Sequence, residues 1–189
     1  MTPATPPGAG TRHRGRTGLL VGVAGVVAVV VAISVIGATS GGGQTPRTLG
    51  QAKSFTLSVL GHPGQQVSLA AMHGRPVILN FFASWCDPCQ RETPLIARFY
   101  RARHGDPAVI GIDSNDPGHG ALAFVTKNKV TYPVVTDPLP GKTALAYGLP
   151  GLPATFFLNA QHQIVKRVFG AVTEAELSDG AALMTRTGR

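Results

Sequence analysis

The chain contains 189 residues, of which 43% are hydrophobic, and its formal net charge is +8 at pH 7. That length is typical of one domain with an appended segment, and the apolar content is sufficient for a packed core. The charge does not indicate nucleic-acid binding, because the 14 basic and 9 acidic residues after Gln44 are scattered and no aromatic-and-basic face accompanies them. We therefore expect no nucleic-acid partner.

An uncharged run of apolar residues, glycine and serine occupies residues 19–36, and Gly37 and Ala38 extend it. A helix of about 20 such residues is long enough to cross a bilayer. Because arginines precede the run, residues 1–18 are predicted to be cytoplasmic and residues 19–38 to be a single transmembrane anchor. The rest of the chain is then extracytoplasmic. The alternative is a cleaved signal peptide ending near Ala38, although signal cores are shorter, about 7–15 residues.

Residues 39–53 are rich in glycine and small polar residues, which predicts a flexible linker and places the folded domain at residues 54–189. Two segments of alternating polarity, 54–60 and 65–72, predict a β-hairpin. The continuous apolar run at 76–83 is typical of a strand that is buried on both faces.

The rest of the domain alternates helices with strands. Helices are predicted at 88–103, 118–129, 142–148 and 173–186, and strands at 108–113, 132–137, 154–159 and 163–170. The first two helices are predicted to face the core with Leu95, Ile96, Phe99 and Ala102, and with Leu122, Phe124 and Val125. Thr173 is the predicted N-cap of the last helix. This order predicts an α/β sheet that is covered by helices on both sides.

Cys86 and Cys89 are the only cysteines, and they lie where the buried strand gives way to the first helix. Side chains three residues apart on a helix are neighbours, so the pair can form a disulfide. A disulfide that closes so short a loop stabilises a fold little. Free N–H groups at a helix start stabilise a thiolate, which predicts an exposed, nucleophilic Cys86 and a shielded Cys89 that resolves the mixed disulfide.

The sequence WCDPC after a buried strand, with the later GLPATFFLN, resembles the thioredoxin superfamily. The order of motifs over residues 54–185 resembles its membrane-anchored TlpA/ResA/DsbE-like branch. This resemblance implies a thioredoxin-like α/β fold with an N-terminal β-hairpin extension, preceded by one transmembrane helix. It also implies a thiol–disulfide oxidoreductase that uses the Cys86–Cys89 disulfide, with no metal and no other cofactor.

The resemblance assigns roles in substrate binding to residues on either side of the dithiol. Trp85 matches the tryptophan that flanks the nucleophile. Pro153 matches the cis-proline that faces the dithiol, and Leu152 before it is expected to offer backbone hydrogen bonds to a partner peptide. Pro150 is the competing candidate, but only Pro153 directly precedes the predicted strand.

A proton acceptor for the buried cysteine is the remaining requirement. Thioredoxin has a buried aspartate six residues before its first cysteine, and here that position is Asn80, which cannot exchange a proton. Glu92 matches a carboxylate found in the TlpA/ResA-like branch and is expected to accept the proton of Cys89. The alternative is that Glu92 is an ordinary solvated side chain.

The resemblance implies that the protein reduces a protein disulfide, for example that of apocytochrome c before haem attachment, with electrons from a membrane partner of the CcdA/DsbD type. An extracytoplasmic oxidant that introduces disulfides is the main alternative. The non-enzymatic alternative is a binding module that uses the groove at Pro153. In that case the substitution Cys86→Ser would not change the function.

Two other thioredoxin-fold classes match less well. A peroxiredoxin would need proline and serine or threonine where Leu79 and Ala83 stand. A copper chaperone of this fold resembles C-x-x-x-C with a distant histidine, whereas the spacing here is C-x-x-C. The histidines after the linker show no paired ligand spacing and are expected at the surface: His62, His73, His104, His119 and His162.

Overall fold

The structure is a computed structural model that describes residues 48–116 and 120–186. The basic N-terminal segment, the predicted transmembrane anchor at 19–38 and most of the predicted linker lie outside the described residues. Within the described ranges, no helix is both long enough and apolar enough to cross a bilayer.

One mixed β-sheet forms the centre of the domain, with strands in the order β2-β1-β5-β4-β3-β6-β7. The strands are β1 Thr56–Val59, β2 Gln66–Ser68, β3 Val77–Phe82, β4 Ala108–Ser114, β5 Val134–Asp137, β6 Ala154–Leu158 and β7 Ile164–Phe169. The helices are α1 Asp87–Ala102, α2 Gly120–Lys127, α3 Lys142–Ala146 and α4 Glu174–Arg186, and a short 3-10 helix spans Ala70–Met72. Strands β3, β4 and β5 are parallel, whereas both hairpins are antiparallel.

Strand β3 is completely buried because it lies between β4 and β6 and is covered on both faces. Successive side chains of a strand point to opposite faces. Ile78 and Phe82 pack with residues of α1, α2 and α4, whereas Leu79 and Phe81 pack with residues of α3 and the 3-10 segment. Residue 80 therefore faces α1, the helix that carries the cysteines. The predicted α/β sheet with its N-terminal hairpin is confirmed.

Two side chains predicted to face the core are instead exposed. In α2, Ala121 and Phe124 are buried, and Phe124 stacks on Phe82 with 5.3 Å between ring centroids. Leu122 then lies on the outer side of this short helix and is exposed. Ala102 is also exposed, because it is the last residue of α1 and extends past the sheet.

The ordered domain begins earlier than residue 54, where the sequence placed its start. The N–H of Leu49 donates to the carbonyl of Ile164 at 2.7 Å, and the N–H of Ala52 donates to the carbonyl of His162 at 3.0 Å. Gln51 forms an antiparallel bridge with Gln163. The end of the predicted linker is therefore bound alongside the edge strand β7.

Helix α4 begins with a reciprocal cap, as predicted for Thr173. The Thr173 hydroxyl accepts the N–H of Glu176 at 3.2 Å, and the Glu176 carboxylate accepts the Thr173 N–H at 2.8 Å. This capping box satisfies two backbone donors that no helical partner would satisfy. It also holds the carboxylate in place, and these hydrogen bonds lower the pKa of Glu176.

We expect Gly180→Ala to destabilise the domain although alanine is the better helix former by about 1 kcal/mol. A Cβ at Gly180 would collide with the buried ring of Phe157, where β6 packs against α4. Overpacking of this kind costs about 1–3 kcal/mol. Urea unfolding of the variant measures the loss, and Ser178→Ala, at an exposed position of the same helix, is the control. Equal or greater stability of Gly180→Ala would contradict the packing described here.

Candidate active site: the Cys86–Cys89 disulfide and its carboxylates

Cys86 is the N-cap of α1, four residues after the end of β3. The Cys86 N–H donates to the carbonyl of Ala83 at 3.2 Å, which forms a tight turn between strand and helix. The Cys89 N–H donates to Cys86 Sγ at 3.3 Å. Pro88 occupies the first helical turn, where its missing N–H costs nothing. The first cysteine therefore lies at the positive end of a 16-residue helix, as predicted.

The two sulfurs form a disulfide with an S–S distance of 2.00 Å and a Cα–Cα distance of 5.2 Å. Cys89 is fully buried, and Cys86 is also buried, with 4% of its surface exposed. The prediction of an exposed Cys86 is therefore wrong for the disulfide form, although the order of accessibility is as expected. Cys86 is buried because its sulfur lies in the apolar cluster that includes Phe82 and Ile96, against which Leu152 also packs.

Trp85 presents a large apolar surface beside the disulfide. It is 57% exposed, and its indole N–H donates to the carbonyl of Asn115 at 3.2 Å. The ring is thus held at one edge and open to solvent elsewhere, which is the state expected of a residue that contacts a partner.

The Leu152–Pro153 peptide bond is cis, as the resemblance implied. Ala154, the next residue, is paired with Phe81 near the end of β3, so the Leu152–Pro153 segment lies beside the strand end that leads to Cys86. The Pro153 carbonyl accepts the N–H of Gly170 at 2.9 Å. The structure therefore places Trp85, Cys86 and Leu152 at the same edge of the sheet.

Glu92 is 2% exposed, so the alternative of a solvated glutamate is wrong. Its Oε1 accepts an N–H of the Asn80 side chain at 2.8 Å, and its Oε2 accepts the N–H of Val172 at 2.6 Å. Burial raises the pKa of Glu92 to about 7, against the lowering effect of these two hydrogen bonds. The carboxyl group is therefore poised to gain or lose a proton near neutral pH, one helical turn beyond Cys89.

Asn80 fixes the position of that carboxylate. Its amide also donates to the hydroxyl of Thr155 at 3.1 Å, so it links α1 to both β3 and β6. The Thr93 hydroxyl donates to the carbonyl of Cys89 at 2.8 Å and anchors the same turn of α1. Asn80 thus orients Glu92 without exchanging a proton itself.

A second buried acid lies close to the active-site loop, and sequence reasoning did not single it out. Asp113 is 3% exposed at the end of β4, and its Oδ1 has no hydrogen-bond partner. Burial, and then the charge and the hydrogen bond of Asp116, raise the pKa of Asp113 to about 7. Asp116 Oδ2 in turn accepts the N–H of Ser84 at 2.8 Å.

The sequence did contain a signal for this acid, namely two aspartates, Asp113 and Asp116, at the carboxyl end of a predicted buried strand. The carboxyl ends of parallel strands meet at one edge of a sheet. Because β3 leads to Cys86 and β4 leads to Asp113, the two sites had to be neighbours.

Among the histidines in the described part of the chain, one does not lie at the surface as expected, and His119 lies outside the described residues. His162 is 5% exposed, and its ring packs edge-on against that of His73 with 5.6 Å between centroids. Burial lowers the pKa of His162. Within residues 48–116 and 120–186, no group of three or more potential ligands is arranged to hold a metal ion.

Comparisons with known proteins agree with this geometry. The sequence profile of the Redoxin family matches residues 48–183. A protein named thiol-disulfide oxidoreductase ResA from Halalkalibacterium halodurans is 32% identical over 126 residues, which cover 66% of this chain and 69% of that protein. The protein of the same name from Bacillus subtilis is 29% identical over 167 residues, which cover 87% of this chain and 88% of that one.

Among solved structures, a secreted disulfide oxidoreductase from Mycobacterium tuberculosis, described as homologous to DsbE of E. coli, is 27% identical. Its TM-score is 0.60, and the match covers 68% of this chain and 94% of that one. This likeness confirms the thioredoxin-like fold of the sheet and its helices. The chain belongs to the Redoxin family, and it is a TlpA/ResA/DsbE-like thiol–disulfide oxidoreductase of the thioredoxin superfamily.

Proposed function

We propose that the protein is a membrane-tethered, extracytoplasmic reductase of protein disulfides. The observation that carries this proposal is the Cys86–Cys89 pair at the start of α1, with the buried Glu92 carboxyl one turn further on. The predicted anchor at 19–38 and the secreted relative from Mycobacterium tuberculosis support the location. The redox-active disulfide is then the only redox group required.

The reaction begins with the reduced dithiol. The Cys86 thiolate attacks one sulfur of a substrate disulfide, forming a mixed disulfide and releasing the other substrate sulfur as a thiolate, which takes up a proton. Cys89 then loses its proton and attacks Cys86 Sγ, which breaks the mixed disulfide and releases the second substrate thiolate. The substrate gains two electrons and two protons, and the Cys86–Cys89 disulfide is formed.

Cys86 is suited to the first step by its backbone environment. The Cys89 N–H that donates to Cys86 Sγ at 3.3 Å in the disulfide remains available to stabilise a thiolate after reduction. The free N–H groups of the first helical turn act in the same direction. A partner bound over Trp85, with its backbone against Leu152, would bring its disulfide to the sulfur of Cys86.

Glu92 is suited to the second step because Cys89 is buried and has no direct access to water. A carboxylate oxygen can accept more than one hydrogen bond, so each Glu92 oxygen keeps acceptor capacity beside its bond to Asn80 or Val172. With a pKa raised to about 7, Glu92 is a stronger base than an exposed glutamate and still ionises at neutral pH. We propose that it takes the proton of Cys89.

The partners follow from the same proposal. Each turnover leaves the protein oxidised, so a donor must return two electrons to the disulfide, and a membrane protein of the CcdA/DsbD type would do so beside the tether. Apocytochrome c, whose haem-attachment cysteines must be reduced, is the proposed class of substrate. Relatives named thiol-disulfide oxidoreductase ResA support the oxidoreductase activity, and the resemblance to the TlpA/ResA-like branch motivates the choice of direction.

The proposal predicts that Cys89→Ala accumulates a covalent complex between Cys86 and its natural substrates. Without Cys89, the mixed disulfide formed in the first step cannot be resolved. Purification of the full-length variant from its native membrane under acid quench, followed by mass spectrometry, should recover proteins with haem-attachment cysteine pairs.

The double variant Cys86→Ala, Cys89→Ala is the matched control and should retain nothing covalently. Recovery of many unrelated exported proteins would instead favour an oxidant that introduces disulfides. Absence of any covalent complex, with Cys86 still alkylated by iodoacetamide, would contradict an enzymatic role for the dithiol.

Glu92→Gln is expected to slow the second step by about 100-fold above pH 7, a loss typical of removing a general base. In the unsubstituted protein the rate of mixed-disulfide resolution should rise with pH around a midpoint near 7, because Glu92 must be ionised. The amide should abolish that midpoint while leaving the first step unchanged. Stopped-flow kinetics of the reduced protein separate the two steps.

Glu174→Gln, at an exposed carboxylate, is the control for this substitution and should behave like the unsubstituted protein. If Glu92→Gln keeps both the rate and the midpoint near pH 7, Glu92 is a purely structural residue.

Asp87 bears on the direction of the reaction because it lies between the cysteines on the first turn of α1. Its negative charge disfavours the Cys86 thiolate, which destabilises the reduced form and makes the couple a better reductant. We expect Asp87→Ala to raise the reduction potential by about 10–30 mV, where about 30 mV corresponds to a tenfold change in the equilibrium constant. Equilibration with dithiothreitol buffers measures the potential, and Asp106→Ala is the control. An unchanged potential would count against this account.

A further inference from the structure

We propose that the Asp113–Asp116 carboxyl pair positions the active-site loop through a shared proton, so that loss of the proton releases the Ser84–Cys86 segment. Asp113 and Asp116 are positioning residues here, since neither is placed in contact with the sulfurs. The inference deepens the proposed reductase function and rests on it only for its biological purpose, because the structural coupling is present in the disulfide form.

The loop after β4 is bonded to two consecutive residues of the active-site loop, Ser84 and Trp85. Asp116 Oδ2 accepts the N–H of Ser84 at 2.8 Å, and the Asn115 carbonyl accepts the indole N–H of Trp85 at 3.2 Å. On its other side, the Ser84 carbonyl accepts an N–H of the Gln90 side chain at 3.3 Å. These bonds fix the backbone directly ahead of Cys86.

The pair functions as one unit because Asp113 is sealed from water. Asp113 is 3% exposed, one of its oxygens is bonded with Asp116, and the other has no partner. A buried charge without compensating hydrogen bonds is costly, so the neutral acid is the stable form at low pH. The neutral Asp113 carboxyl group donates a hydrogen bond to the Asp116 carboxylate, and Asp116 remains the acceptor for the Ser84 N–H.

Ionisation of Asp113 reverses this arrangement. Two negative charges within hydrogen-bond distance repel each other strongly where water is excluded. Asp116 is the more accessible partner, so it would move outward, and its bond to Ser84 would lengthen or break. The pKa of Asp113, about 7, places this change near neutral pH.

Other titratable and charged groups lie on the elements that pack around Asp113, and Lys127 of α2 lines a pocket together with Ser84. Glu92 on α1 and Tyr132 ahead of β5 lie on the same face of the sheet. Asp137 on β5 is occupied by the Ser114 hydroxyl and by N–H groups at the start of α3. Among the charged side chains of the described residues, Asp116 is the one that shifts the pKa of Asp113.

Trp85 provides a direct probe, because it is the only tryptophan of the chain and is bonded to Asn115. We expect its fluorescence in the oxidised, full-length protein in detergent to show a transition with a midpoint near pH 7 between pH 5 and 9. The thiols cannot contribute, since both are in the disulfide. Asp113→Asn, which keeps a donor to Asp116 and cannot ionise, should abolish the transition.

Glu92→Gln is the matched control, because it removes the other buried carboxyl group whose pKa is raised to about 7, and it should keep the transition. If the transition persists unchanged in Asp113→Asn, or disappears in Glu92→Gln, the proposal is wrong. The test uses no thiol chemistry, so its outcome is independent of whether Cys89→Ala traps a substrate.

A measurement on the unsubstituted protein covers the case in which Asp113→Asn does not fold. The amide resonance of Ser84 should shift with the same midpoint as the side-chain carboxyl carbon of one aspartate in the oxidised protein. A Ser84 amide that does not titrate between pH 5 and 9 would overturn the proposal.

Discussion

The carboxylate of Glu92 is the constraint on which the geometry of the dithiol depends. It lies on the same helix as both cysteines and is bonded to Asn80 on β3 and to the backbone of Val172 ahead of α4. Burial of an ionisable group is costly unless its hydrogen bonds are satisfied. A shift of α1 by one turn along the sheet would break both hydrogen bonds and leave the Glu92 carboxylate unpaired. These bonds therefore fix the position of α1 against the sheet, and with it the position of Cys86 at the helix start.

The sheet explains why so many functional groups meet at one edge. Parallel strands β3 and β4 end there, and the antiparallel strand β6 begins there after the cis peptide bond. The loops after β3 and β4 carry Trp85, Cys86 and Asp116, and the turn before β6 carries Leu152. Loops on a rigid scaffold can hold such groups in fixed positions. The strands β3 and β4 add the buried side chains of Asn80 and Asp113.

The sequence predicted the order of the elements and the active-site helix because apolar periodicity and the C-x-x-C spacing are local signals. It did not decide whether Glu92 is buried, since that depends on Asn80 and Val172, which are distant in sequence and close only in the fold. Leu122 was misplaced for the same reason: the helical pattern allowed two faces, and the packing of Phe124 on Phe82 selected one. The sequence showed that Asp113 and Asp116 are acidic, but it did not predict that their carboxyl groups interact in the fold.

Two buried carboxyl groups with raised pKa values also affect stability. In the unfolded chain both would ionise near their ordinary values of about 4. In the folded state both hold their protons up to about pH 7. Between these values the folded state binds more protons, so each group's contribution to stability is present at low pH and is lost as the pH rises toward 7. A site selected for stability alone would hold neither acid in this state. Beside the disulfide, these two acids provide the groups for the proposed proton transfer and for the proposed positioning of the loop.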